Sequence, residues 1–182
     1  GIVDRLLELA ALEARNGRLA LASVDLRAIT ADVVAGAGSA AAARRVDLRL
    51  AAGAPASVTG EGFLLGQAVS NLVQNALEFT PAGGTVTVAV TVDEGRARVV
   101  VEDSGPGVPD YALGRVGERF YSLPRPDTGR KSTGLGLSIV GEIARLHGGD
   151  ALLEPAPGGR GLVARVSLPA TNAAPEQAVH KL

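Results

Sequence analysis

Asn71 and Asn75, one helical turn apart, and Asp103, which closes an apolar strand just before Gly105 and Gly107, are the side chains of this sequence best suited to hold a phosphorylated ligand. Two amides at i and i+4 put their oxygens on one helix face. Hard cations such as Mg2+ take oxygen ligands, usually a few from protein and the rest from water and phosphate. A carboxylate at a strand end can accept a hydrogen bond from an amino group such as that of adenine. In Thr133-Gly134-Leu135-Gly136-Leu137 two glycines open a helical pattern. Glycine lets backbone N–H groups approach an anion, and a helix N-terminus adds about half a positive charge. Each run taken alone has an ordinary explanation: a solvated helix face for the asparagines, a turn aspartate capping its own loop for Asp103. Gly129-Arg130-Lys131-Ser132 has the look of a P-loop ending, but no glycine directly precedes Lys131 and no strand feeds it, which excludes that motif.

These residues need elements to position them. Residues 61–79 carry the strongest helical pattern, with Leu65, Ala68, Val69, Leu72, Val73 and Ala76 on one face and Gln67, Asn71, Asn75 and Glu78 on the other. Thr80-Pro81 and Gly83-Gly84 end it. Alternation predicts a strand over 85–92, a turn at Asp93-Glu94-Gly95 and a return strand over 96–102 that delivers Asp103. Residues 135–146 predict a helix, followed by strands near 151–153 and over 162–168 across a Pro/Gly turn at 155–161. Upstream, 2–15 predicts an amphipathic helix wide enough to want a partner helix. Short strands are expected at 24–26, 46–50 and 57–59, with a helix over 26–43 that turns Ile29, Val33 and Val34 inward. Residues 171–182 read as a polar tail.

The composition sets bounds. The 182 residues suit one domain with a small attachment, and 46% apolar against 3% aromatic residues makes the core one of Val, Leu and Ala. A net charge of −1 gives no bulk attraction to nucleic acid or anionic membrane, and the absence of cysteine excludes disulfides, thiol chemistry and Cys-based metal sites. No apolar run approaches the roughly 20 residues of a membrane helix. The sequence opens inside a helical pattern with no leader-like stretch, so a piece of a longer protein is expected.

Four runs in order, Asn71-Leu72-Val73-Gln74-Asn75-Ala76, Asp103-Ser104-Gly105-Pro106-Gly107, Glu118-Arg119-Phe120-Tyr121-Ser122 and Gly134-Leu135-Gly136-Leu137, are far more specific than any one of them. Together they resemble the N, G1, F and G2 boxes of the catalytic, ATP-binding domain of bacterial two-component sensor histidine kinases, part of the wider group that also holds gyrase and MutL. The resemblance covers residues 24–169. The stretch from Phe120 through Pro126, then Gly129 to Leu137, looks particularly like CreC-type sensor kinases, and residues 2–15 look like the end of the second dimerisation helix. The resemblance implies an α+β fold, a two-layer sandwich of the Bergerat type with a mixed sheet of about five strands under three helices. It divides the chain into a helix end and linker over 1–22, the catalytic domain over 23–170 and the tail. It implies ATP and Mg2+ as cofactors, with Asn75 as metal ligand supported by Asn71 and Asp103 as the adenine-reading carboxylate. Gly105 and Gly107 would let the base approach, and Phe120 would anchor an ATP lid spanning 108–133. Arg130 and Lys131 would meet the γ-phosphate, and Gly134 and Gly136 would lie against the phosphates. Tyr121, Ser132, Thr133, Leu135 and Leu137 complete the nucleotide-binding set. It further implies a homodimer through upstream helices, a response regulator as partner, no nucleic acid, and a cytoplasmic position in a membrane-anchored sensor.

Two departures bear on this. Glu78 stands where the family often has Lys or Arg, so it is expected to point away from the phosphates. Asn71 stands where ATP-hydrolysing relatives carry a glutamate base. An amide cannot take a proton from water, which favours transfer to a protein histidine over hydrolysis. Neither His147, near a helix end, nor His180, in the tail, has the context of a phosphoacceptor, so that residue is expected upstream of Gly1. Two alternatives stay open at this point: a degenerate nucleotide-binding regulatory module acting through helix pairing, and an anti-sigma-type serine kinase on the same fold.

Overall fold

The structure, a computed structural model, describes residues 2–14, 19–109, 112 and 134–171. Helix α1 (Ile2–Ala14) precedes strand β1 (Ala22–Asp25), helix α2 (Leu26–Arg44), β2 (Asp47–Leu50), β3 (Ser57–Gly60), α3 (Gly62–Phe79), β4 (Thr85–Asp93), β5 (Arg96–Asp103), α4 (Gly136–Leu146), β6 (Asp150–Pro155) and β7 (Leu162–Pro169). Five strands form a mixed sheet in the order β2-β4-β5-β7-β6, with β2 parallel to β4 and the other pairs antiparallel. The sheet and its covering helices match the expected two-layer α+β sandwich.

Local sequence explains most of the boundaries. Leu26, where strand and helix were expected to meet, is the first helical residue and lies outside β1, because Asp25 caps the helix: its carboxylate accepts from the Arg27 N–H at 2.9 Å and also from the Ala56 N–H at 2.9 Å. Glu94 (φ 49°) and Gly95 (φ 72°) form the two-residue turn that pairs Asp93 with Arg96. One element was not foreseen as such: β1 and β3 pair with each other in a separate two-stranded ribbon. The ribbon is tied to the chain after β7 by the Val58–Ala170 bridge and by a 2.9 Å bond from the Thr171 N–H to the Ser57 carbonyl.

The core lies between the sheet and α2, α3 and α4. Alternate residues of β4 and β5 (Val86, Val88, Val99, Val101) face Leu65, Val73, Ile139 and Ile143, all but fully buried. Each such side chain contributes about 1.5–3 kcal/mol of burial free energy. In α2 the fully buried positions are Leu26, Thr30 and Ala41, whereas Ile29, Val33 and Val34 are only partly buried against the core. Leu12 of α1 is buried in the same core and α1 packs on α4, while Val3 and Leu7 are 63% and 65% exposed. Among the described residues no helix is long and apolar enough to cross a membrane.

Candidate functional site

Asp103 is the last residue of β5 and is 6% exposed. It alternates with Ala97, Val99 and Val101 on the core side of the strand, which is why a carboxylate ends up buried here. The chain then turns sharply, and the Gly105 N–H donates to Asp103 Oδ1 at 2.9 Å. The turn rests against the end of α3: a Cβ on Gly105 would sit 2.5 Å from the Phe79 carbonyl oxygen, so no other residue fits without moving the backbone. Ser104 adds a second tie, its Oγ accepting from the Thr85 N–H at 2.8 Å and its own N–H donating to the Thr85 carbonyl at 3.0 Å.

Burial raises the Asp103 carboxyl above the usual carboxylate range, and neighbouring Glu102 pushes the same way. Hydrogen bonds from the backbone N–H groups of Gly105 and Leu162 pull against it. The group is thus an acceptor held by main chain in a poorly solvated place. Such a group gains most from a ligand that donates to it.

Asn71 and Asn75 lie on α3 as expected, both partly buried, one turn apart and opposite the buried Leu72, Val73 and Ala76. Asn71 shares an open hollow of about 480 Å3 with Gly62, Phe63, Gly66, Gln67, Ser70 and Gln74; among the described residues neither Asn75 nor Asp103 lines it. Among the described residues no cluster of three or more His, Cys, Asp or Glu side chains could hold a metal ion unaided. Glu78 is partly buried in the last turn of α3.

Gly134 (φ 67°), Leu135, Gly136 and Leu137 form the entry to α4, which packs beside α3. Leu135, the residue before the first helical position, is fully buried and supplies no side-chain cap. By contrast, α2 is capped by Asp25. The structure therefore brings the Asn71/Asn75 helix, the Asp103 turn and the glycine entry of α4 to adjoining elements. Phe120, Tyr121, Arg130, Lys131, Ser132 and Thr133 lie outside the described residues, as do most of the 108–133 stretch and His180.

The contacts by which three further sites support these positions were not read from the sequence. Thr80, fully buried, donates from Oγ1 to the Ala76 carbonyl at 2.7 Å and closes α3 beside the Asp103 turn. Gly161 and Leu162, read only as part of a turn and a strand, touch Asp103. His147, 8% exposed, caps α4 with Nδ1 2.7 Å from the Ile143 carbonyl, and its Nε2 accepts from the Glu61 N–H at 3.0 Å. Those two bonds require a neutral ring with the proton on Nδ1 and give His147 a structural task, clipping the end of α4 to the start of α3.

The family of histidine kinase-, DNA gyrase B- and HSP90-like ATPases matches residues 60–172. The sensor protein CreC of Escherichia coli K12 is 41% identical over 152 residues, covering 84% of this chain and 31% of CreC. The chain is similar to the full-length ShkA crystal structure in complex with AMPPNP (TM-score 0.80, 28% identity), over 93% of this chain and 35% of that one. It is also similar to the cytoplasmic segment of histidine kinase QseC (TM-score 0.67, 28% identity), over 94% of this chain and 96% of that one. The chain spans about a third of the length of the curated relatives it matches.

Proposed function

We propose that this chain, which belongs to the histidine kinase-, DNA gyrase B- and HSP90-like ATPase family, binds ATP with its adenine on Asp103 and passes the γ-phosphate to a histidine carried on dimerisation helices outside residues 1–182. The observation that carries the reading is the buried, main-chain-held Asp103 carboxylate at the end of β5, a strand that packs against α3 with its Asn71 and Asn75, while α3 in turn packs beside α4. The carboxylate would accept from the adenine amino group, and the α4 entry at Gly134 to Leu137 would receive phosphate oxygens.

Two amides one turn apart, with no acidic cluster around them among the described residues, suit a Mg2+ ion that takes most of its ligands from phosphate and water. Asn75 would supply the protein oxygen, with Asn71 beside it. Bound there, the ion would neutralise charge on the transferring phosphate. Arg130 and Lys131 would add positive charge, Phe120 would anchor the lid, and Tyr121, Ser132 and Thr133 would belong to the nucleotide-binding set. Asn71, being an amide, offers no base to activate water, which favours transfer over hydrolysis. Residues 1–22 would be the end of a dimerisation helix with its linker and 23–170 the catalytic domain. The whole protein would be a homodimeric, membrane-anchored sensor with this domain in the cytoplasm, signalling to a response regulator. The relatives named sensor proteins support that setting.

Calorimetric titration of ATP with and without Mg2+, on the wild type and on Asp103→Ala, tests the binding step. Saturable binding lost in the variant is expected, and wild-type protein that binds no ATP would overturn the proposal. Supplying a dimerisation-helix domain in trans should then yield phosphohistidine.

A further inference from the structure

Glu61 stands at the N-cap of α3 (φ −93°, ψ 106°), yet its side chain makes no cap bond to the helix it precedes. A side-chain oxygen in that place ordinarily accepts from the second or third N–H of the helix. Here Oε2 takes the Ala20 N–H instead, at 3.3 Å, on the surface where the chain passes from α1 to β1. The Glu61 main chain is engaged twice more. Its carbonyl accepts from the Leu65 N–H at 3.1 Å and opens α3, and its N–H donates at 3.0 Å to Nε2 of His147, the residue that ends α4. The meeting point has no slack: a Cβ on Gly60 would sit 2.7 Å from Leu65 Cδ1 and 2.9 Å from His147 Cδ2. One residue thus joins three segments, the linker before β1, the start of α3 and the end of α4. The upstream segment touches α4 a second time through α1, which packs on it.

This joint bears on the site from a distance. Because the end of α4 is clipped to the start of α3, the two helices pack on each other only by running in opposing senses. At about 1.5 Å per residue, Asn71 on α3 and the glycine entry of α4 each lie roughly 15 Å along their own helix from the clip. The setting of one helix against the other at the clip therefore decides how the amides and the glycine entry face each other. We propose that Glu61 is a positioning residue that couples the α1–β1 linker to the nucleotide site. With Ala20 and His147 both on Glu61, α3 and α4 are held in the arrangement that receives nucleotide; with the linker withdrawn, the start of α3 shifts against α4. The proposal rests on the nucleotide reading of that site. Such coupling is reciprocal: bound nucleotide tightens the linker contact by the factor by which the contact tightens nucleotide.

Hydrogen exchange of the Ala20 amide, read by NMR with and without Mg2+-ADP on wild type, Glu61→Ala and Glu61→Gln, tests this. In wild type the nucleotide should slow that exchange about fivefold, the net scale of one hydrogen bond. Glu61→Ala should abolish the slowing and bind Mg2+-ADP about fivefold more weakly by calorimetry. Glu61→Gln keeps an acceptor oxygen and should retain most of both. Nucleotide bound to wild type with no change at Ala20 overturns the proposal, as does equal slowing or undiminished affinity in Glu61→Ala. A Glu61→Gln protein as impaired as Glu61→Ala would make the charge, not the bond to Ala20, responsible and overturns it too. Should Glu61→Ala not fold, the wild-type and Glu61→Gln exchange rates decide. Wild type that binds no nucleotide fails one step earlier, at the reading of the site, and takes the proposal with it.

Discussion

At the Asp103 end of the site the main chain does the positioning. The Gly105 N–H holds the carboxylate, the Phe79 carbonyl abuts the turn from the end of α3, and the Ser104 side chain ties the turn to the Thr85 N–H. Along α3 the arrangement is reversed. Asn71 and Asn75 stand on a regular helix whose backbone is satisfied by its own hydrogen bonds, and their amides project from the face away from the core. The difference bears on what each end tolerates. A main-chain cradle is preorganised and costs desolvation of the group it holds, as the raised Asp103 carboxyl records. It fails when a glycine gains a side chain. A helix face is cheap to build, fails one side chain at a time, and works only with what is brought to it.

The comparison breaks first on Asn75→Ala. Phosphotransfer to a supplied acceptor domain should fall about 10²–10³-fold, the usual cost of removing one group that stabilises a transition state. Binding of ADP without Mg2+ should be unchanged. If that binding falls as well, the α3 face holds more than the metal and the contrast between the two ends is wrong. Asp103→Ala comes next, with ATP affinity expected to drop about 10–100-fold, equally with and without Mg2+. A loss confined to the Mg2+ arm would merge the two ends into one.

His147→Ala acts at the far end of α4 and should leave the Mg2+ dependence of ATP binding as it is. It removes the side-chain partner of the Glu61 N–H and a cap on Ile143, so urea unfolding should show a loss of about 1–3 kcal/mol. The smallest effect concerns pH. Because burial raises the Asp103 carboxyl, the folded chain keeps a proton there that the unfolded chain has already lost. Stability from this group is therefore present at low pH and is lost as pH climbs from the ordinary carboxylate range through the raised value. Asp103→Asn should flatten that slope and unfold at higher urea than wild type at neutral pH while binding ATP less well. A variant that loses both stability and binding would show that the charge is not a cost to the fold.

Most of the secondary structure was legible because burial on one side imposes a period. Leu65, Ala68, Val69, Leu72, Val73 and Ala76 repeat at helical spacing, and all are buried in α3. Val86, Val88 and Val90 alternate, and all are buried in β4. The end of β5 and the start of α4 were marked by glycines where the chain changes direction. The α2 inward face was less legible, because a run of alanines and glycines gives nearly the same pattern in every direction. Nothing local distinguished a buried histidine that clips two helices, such as His147, from an incidental one.

By itself, then, the sequence determined which residues share a helix face, where strands alternate, and that Asn71, Asn75, Asp103 and the Gly134–Leu137 run occur in an order suited to a nucleotide. Those are properties of neighbours within a few positions, and side-chain periodicity carries them. Only the tertiary structure decided that Gly161 and Leu162 close on Asp103, that His147 reaches Glu61, and that β1 and β3 leave the main sheet to pair with each other. Each of these contacts joins segments tens of residues apart and uses a backbone group on at least one side. Every residue carries the same N–H and C=O, so side-chain identity could not announce which of them would meet.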